Sequence, residues 1–188
     1  MKVVLADLDK KPFIKKIEGS RFTLVRAKTD HTEGLWRSIL RDRKLRGSSW
    51  RWVENIEQLQ KYLNDVSSEI PHKEVIYLFQ DDTEAIFGSI HIQNLNYSDH
   101  KVELGYAIEK SYEGLGYISD AIPLVEAEIR RLKFNKIEIE CDPKNARSLS
   151  VAERNGYLHE GTRLQDNIWD GQFRDKALFG KILSATQP

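Results

Sequence analysis

Among 188 residues there is a single cysteine, Cys141. One thiol closes no intramolecular disulfide and provides no thiolate cluster for zinc, so a reducing cytosol is the expected compartment. Neither sign of charge is in excess, because 29 Lys and Arg balance 29 Asp and Glu. That balance argues against a nucleic-acid binder working by bulk charge and against a polybasic membrane anchor. No stretch approaches the ~20 apolar residues of a membrane span. The opening run, Met1 to Lys11, is broken by Asp7 and Asp9 and lacks the apolar core of a signal peptide. The histidines His31, His72, His91, His100 and His159 are scattered without metal-ligand spacing, so no metal site is expected. Internal repeats and low-complexity tracts are also missing.

What is present is a core. Hydrophobic residues make up 40% of the chain, enough for one domain, with residues 1–12 read as an N-terminal extension. Residues 21–27 alternate as a strand, and a helix is expected from about Thr32 to Leu45. A loop over 47–52 follows, then a second helix capped by Asn55 and carrying Leu59, Tyr62 and Leu63, with Pro71 beyond it. Strand-like runs occupy 75–79, 85–92, 101–108 and 136–141, the first three joined by short polar links that favour antiparallel neighbours. Between the last two, Ile118, Ala121, Ile122, Val125, Ile129 and Leu132 form the apolar stripe of a helix. A further helix spans about Ala146 to Arg154 and closes at Asn155-Gly156. Asp170-Gly171 marks a terminal hairpin. The order is α+β, a mostly antiparallel sheet with one strand–helix–strand crossover.

The crossover helix opens on Gly114-Leu115-Gly116. Glycines there allow positive φ and close approach of an anion to several N–H groups, where the helix dipole adds positive charge. The third glycine of a dinucleotide fingerprint is replaced by Ser119, and no Gly-Lys-Ser/Thr of a Walker loop follows. A helix start with turn glycines explains the same residues equally simply.

Further motifs in order settle the comparison. Ser111-Tyr112-Glu113-Gly114-Leu115-Gly116, then Asn145, then Gly156-Tyr157 resemble the GNAT acetyltransferases. Leu104-Gly105-Tyr106, Asn145 with Ser148, Glu160-Gly161, Asp170-Gly171 with Asp175, and Trp50-x-Trp52-Val53 are similar to the RimJ/RimL type, the ribosomal-protein N-terminal acetyltransferases. The likeness covers about residues 13–183. It implies one GNAT domain, a mixed sheet of about seven strands flanked by about four helices, with acetyl-CoA as co-substrate and no metal. It further implies an amine acceptor such as a protein or peptide N-terminus, no nucleic acid and no membrane, and leaves a homodimer open. A small-molecule amine acetyltransferase and a non-catalytic acyl-CoA-binding protein are the rival readings. Two departures stand out: Ser111 replaces the family's Gln or Arg, and Pro123 inside the crossover helix should kink or loosen a turn.

By this resemblance, CoA contacts Tyr106, Ala107, Ile108, Glu113, Gly114, Leu115, Gly116, Tyr117, Ile118, Asn145 and Ser148. Ser148 is the candidate for the departing thiol, because the tyrosine other members use four residues later is Ala152 here. The family's acidic residue aligns with Asn167, which takes no proton. Asp166 beside it should face the other side of the strand. Glu103 is the remaining candidate base, and a water relay to solvent would also serve. Trp50, Trp52, Asn167 and Trp169 are the candidate acceptor-binding residues. Cys141 reads as a packing residue. With no carboxylate at position 167, an α-amine is the favoured acceptor. Deprotonating it at pH 7 costs about 1 kcal/mol, against about 4.6 kcal/mol for a lysine.

Overall fold

A computed structural model describes residues 12–40, 50–67, 74–169 and 171–183. Residues 1–11 of the extension expected over 1–12, the end of the first helix, Pro71, His72 and Asp170 lie outside the described residues. The strands are β1 (Lys16–Glu18), β2 (Thr23–Arg26), β3 (Glu74–Gln80), β4 (Ile86–Asn96), β5 (Lys101–Ile108), β6 (Lys136–Cys141), β7 (Leu158–Trp169) and β8 (Gln172–Ile182). The helices are α1 (Thr32–Leu35), α2 (Ile56–Val66), α3 (Tyr117–Arg131) and α4 (Ala146–Arg154). All eight strands join one sheet in the order β1-β2-β3-β4-β5-β6-β8-β7. The strand beyond the expected seven is β1, three residues long and paired to β2. Such a short run carries no alternation signal.

Each face of the sheet has its own core. On one, Val75, Tyr77, Phe79, Leu104 and Ile139 pack beneath the stripe of α3, where Ile118, Ala121, Ile122, Val125, Ile129 and Leu132 are all buried. Burial of each such aliphatic side chain is worth roughly 1.5–3 kcal/mol. Pro123 lies on the solvent side, and α3 runs unbroken through it. One lost hydrogen bond does not break the helix while the buried stripe holds both halves to the sheet. On the other face Ile76, Leu78 and Ala107 pack under α1 and α2 with Leu35, Leu59 and Leu63. The Asn55 side chain caps α2 by accepting from Gln58 N at 2.8 Å. Of the helix expected from Thr32 to Leu45, α1 and a π turn, Trp36–Leu40, are described, and the rest lies outside the described residues.

The feature that positions the site is a parting of strands. Among the described residues β5 and β6 form the single parallel pair, and their pairing stops at Leu104↔Ile139. β5 continues to Ile108 with its other edge bound to β4 as far as Gly88↔Ile108. β6 continues to Cys141 against β8. Beyond Leu104, one edge of β5 is therefore open. Strand alternation sends Tyr106 and Ile108 toward α3 and α4, and Glu103 and Ala107 toward α1 and α2.

Candidate active site

On the α3/α4 face a groove of about 660 Å³ follows the open edge of β5 to the start of α3. Gly114 and Gly116 hold φ of +75° and +86°, a left-handed backbone that L side chains rarely adopt. A Cβ at Gly114 would meet nothing within 4 Å, so glycine is required there by backbone conformation rather than by crowding. Ser119 Oγ is buried at the groove wall without a hydrogen-bond partner. An orphaned hydroxyl in the first turn of a helix fits a phosphate oxygen, and it occupies the position where a dinucleotide fingerprint has glycine. Arg147 at the start of α4 reaches across to pair with Glu113. It brings to the groove a cation that Ser111 does not supply.

Of the residues expected to contact CoA, Tyr106, Ala107, Ile108, Glu113, Gly114, Gly116, Tyr117, Ile118, Asn145 and Ser148 line this groove. Leu115 does not. Its side chain is exposed and its carbonyl accepts from Arg21, because a residue between two left-handed glycines turns outward. What Leu115 can offer a ligand is its main-chain N–H. Asn145 Oδ1 caps α4 by accepting from Ser148 N at 3.2 Å.

The groove leads into a second cavity, about 330 Å³, where β5 and β6 part; Tyr106, Cys141, Ser148 and Trp169 are among its walls. The Tyr106 hydroxyl lies 2.8 Å from Ser148 Oγ. Burial pushes the Tyr106 phenol up to about 12, so it stays protonated at physiological pH. Burial also raises the Cys141 thiol, against a hydrogen bond from Ser148. That environment suits neither a nucleophile nor a metal ligand. The pairing of the Tyr106 hydroxyl with Ser148 has no sequence signal, since the two meet only through the packing of α4 on β5.

The third cavity, about 410 Å³, opens on the α1/α2 face and shares Glu140, Cys141, Asp142 and Trp169 with the second. Trp52, Asn167 and Trp169 line it. Trp50 does not and is a correction: it is fully buried and its indole N–H donates to Ser89 Oγ at 2.8 Å. It packs beside Leu59 and Leu63 in the core beneath α2, while Trp52 keeps partial exposure. Asn167 Oδ1 is buried and without a partner. Asp166 is engaged by Lys176 at 3.2 Å and Arg163 at 3.8 Å. Strict alternation does not hold there, because β7 carries a bulge between Arg163 and Asn167 with Gln165 at φ +52°.

Glu103 enters this slot and accepts from Gln93 Nε2 at 2.7 Å and Asn94 Nδ2 at 2.6 Å. Burial, and then the neighbouring Glu140, raise its pKa above the ordinary carboxylate range, while the two amides and Lys176 oppose them. Glu140 is neutralised by Lys176 at 2.7 Å and Arg163 at 3.2 Å. Sequence reasoning missed Glu74, Tyr62 and Lys176 in this slot; all are brought in by strand register and helix packing.

Three cavities in series, one on each face of the sheet and one in the gap between, can align two reactants from opposite sides. An anion-binding helix start, an open strand edge, a protonated hydroxyl pair and a carboxylate of raised basicity are the parts that amine acylation by a thioester requires. The GNAT acetyltransferase domain model matches residues 21–158. A ribosomal-protein-serine acetyltransferase of Escherichia coli is 22% identical, over 83% of this chain and 89% of its own. The ribosomal protein uS5-alanine N-acetyltransferase of the same organism is 30% identical over 54% of this chain and 53% of its own. Among solved structures, RimL, a ribosomal-protein α-N-acetyltransferase in complex with coenzyme A, superposes with a TM-score of 0.81 at 21% identity, covering 89% of this chain and 97% of the other. The spermidine/spermine N-acetyltransferase SpeG of Vibrio cholerae gives 0.72 at 17% identity, covering 87% and 93%. On that match and this architecture, the chain belongs to the GNAT family of acetyltransferases.

Proposed function

We propose that the protein transfers the acetyl group of acetyl-CoA to the α-amino group of a protein or peptide, by direct attack within a ternary complex. The observation that carries this reading is the meeting of the α3/α4 groove and the α1/α2 slot at the end of β5–β6 pairing, with Trp169 lining all three cavities. CoA would lie with its pyrophosphate on Gly114–Ile118, its pantetheine along the open edge of β5, and its thioester in the gap. The amine would enter from the slot.

Each step then has a group. A main-chain N–H on the open edge of β5 polarises the thioester carbonyl. The amine nitrogen bonds to the acyl carbon, the C–S bond breaks, and the amine proton passes to Glu103 and on to solvent. The departing thiolate receives a hydrogen bond from the Tyr106–Ser148 pair. A phenol near 12 facing a thiol of ordinary pKa ~8.5 gives up its proton at a cost of about 5 kcal/mol, so the pair stabilises the thiolate mainly by hydrogen bonding. No activated nucleophile lines the gap among the described residues, since Cys141 has a raised pKa. That favours direct attack over an acyl-enzyme.

Two observations favour an α-amine. Burial raises the basicity of Glu103, which narrows its gap to an α-amine near ~7.7–8.0, whereas a lysine near ~10.4 demands several kcal/mol more. The orphaned Asn167 Oδ1 can accept from a main-chain N–H of a bound peptide. The relatives named for ribosomal proteins point to the same acceptor class. The test is acetylation of a peptide with a free N-terminus in competition with its N-blocked, lysine-bearing counterpart, with mass spectrometry locating the acetyl group. Acetyl on the α-amine is expected. Acetyl mainly on lysine, or activity confined to small amines, would overturn the acceptor assignment.

A further inference from the structure

The buried chain behind the slot has no part in the chemistry above. The Trp50 indole N–H donates to Ser89 Oγ at 2.8 Å. Ser89 Oγ lies 3.1 Å from His91 Nε2, and His91 Nδ1 lies 2.6 Å from Glu74 Oε1. The other Glu74 oxygen accepts from the Tyr62 hydroxyl. Trp50 can only donate, so Ser89 Oγ accepts from it, Ser89 and His91 Nε2 share the next bond, and His91 Nδ1 bonds the Glu74 carboxylate. Both ring nitrogens of His91 are used. Glu, His and Ser are also the members of a hydrolytic triad, but Ser89 and His91 are buried and Ser89 already accepts from Trp50, so no substrate can reach it. The chain ends at the slot, where Glu74 is a wall residue.

Register explains what Glu74 is for. Glu74 pairs with Gln93, and Gln93 with Glu103, so the three stand in one row across β3, β4 and β5 on the same face. Two strand spacings put the carboxylate-bearing residues about 10 Å apart. Glu140 in the same slot carries its own cations, Lys176 and Arg163, whereas among the described residues Glu74 is bonded by the Tyr62 phenol and the His91 imidazole and by no Lys or Arg. A largely buried carboxylate that accepts one bond at each oxygen keeps lone pairs for the side chain of a basic ligand. Beside it Trp52 and Tyr62 stand edge to face, with ring centroids 4.5 Å apart, and offer aromatic surface to a basic side chain.

We infer that Glu74 is a specificity-determining residue that selects acceptor peptides with a basic side chain at the second position. Trp50, Ser89 and His91 are positioning residues that fix its carboxylate. The inference rests on the α-amine reading above. With the reacting amine at Glu103, a long basic side chain on the next residue, 3.8 Å further along the peptide at its Cα, can reach across the row to Glu74. Arg51, which also lines the slot, donates to the Ile168 carbonyl at 3.3 Å and lies over the Trp169 ring, on the Trp169 side of the slot.

The experiment compares two free-N-terminal peptides that differ only in Lys or Gln at position two, using kcat/KM for each. The wild-type protein should prefer the Lys peptide by tenfold or more. Glu74→Gln should bring the ratio close to one, chiefly through KM of the Lys peptide. His91→Ala should lower the same ratio, and His91→Asn should restore part of it by donating from its amide to Glu74. CoA affinity, measured by calorimetry at the opposite face, shows that each variant is folded. A wild-type ratio near one, or a ratio unchanged in folded Glu74→Gln, overturns the inference while leaving α-amine acetylation standing. If neither peptide is acetylated while another amine is, the acceptor reading falls and this inference falls with it.

Discussion

The Tyr106 hydroxyl and Ser148 Oγ stand 2.8 Å apart, joining the open end of β5 to the first turn of α4. The contact puts two donors at one point of the gap, and neither residue makes it alone. Ser148→Ala and Tyr106→Phe should each lower kcat by about tenfold to a hundredfold with little change in CoA affinity, because a thiolate exists only as the bond breaks. The double variant should fall short of the product of the two single effects, as residues in one network do. Single-turnover kinetics isolate the chemical step. Additive losses would mean two independent roles.

Glu103→Gln should reduce kcat/KM by about a hundredfold or more at neutral pH, the usual scale for a positioned base. Since burial raises the Glu103 pKa, the acidic limb of the wild-type profile should lie above the ordinary carboxylate range and disappear in the variant. Stability has the opposite sign. The folded protein binds this proton more tightly than the unfolded chain, so the contribution of Glu103 favours folding at low pH and is lost as pH rises through the raised value. Glu103→Gln should therefore raise the melting temperature near neutrality relative to wild type, and the gain should vanish toward pH 4. Thermal melts across that range check it.

Gly116→Val should weaken CoA binding tenfold or more, equivalent to about 1.4 kcal/mol. Valine at φ +86° is strained, and relaxing it turns the N–H groups of the loop away from the groove. Gly114→Ala at φ +75° should act in the same direction. Calorimetry on folded variants measures both. Unchanged affinity would put the pyrophosphate elsewhere.

Arg147 and Glu113 face each other across the groove mouth, and a phosphate-bearing ligand competes with Glu113 for that guanidinium. Arg147→Ala should raise the CoA dissociation constant several-fold and flatten its dependence on salt. Glu113→Gln should tighten binding modestly by releasing the arginine. Titrations at low and high ionic strength separate these outcomes.

The elements whose signals are local were legible in the chain. The stripe of α3, the Asn55 and Asn145 caps and the glycine turn each lie within a few residues, so spacing alone identifies them. The order of elements, with motifs in sequence from Leu104 to Gly171, was enough to recognise the family. What escaped depends on pairing between distant segments. β1 has three residues and exists as a strand only because β2 lies beside it. Trp50 and Trp52 look equivalent two residues apart, yet packing under α2 buries one in the core and leaves the other in the slot. The bulge in β7 that takes Asp166 into ion pairs is invisible to strict alternation.

The sequence by itself determined that a helix opens on two left-handed glycines after a strand, and that Glu103 shares a strand face with Gly105 and Ala107, because covalent neighbours and their periodicity dictate both. Only the tertiary structure decided where β5 and β6 part, that Tyr106 meets Ser148 from 42 residues away, and that Glu74 joins Gln93 and Glu103 in one row. Those relations are set by strand register and by helices packing on opposite faces of one sheet, and register is a property of the whole folded chain.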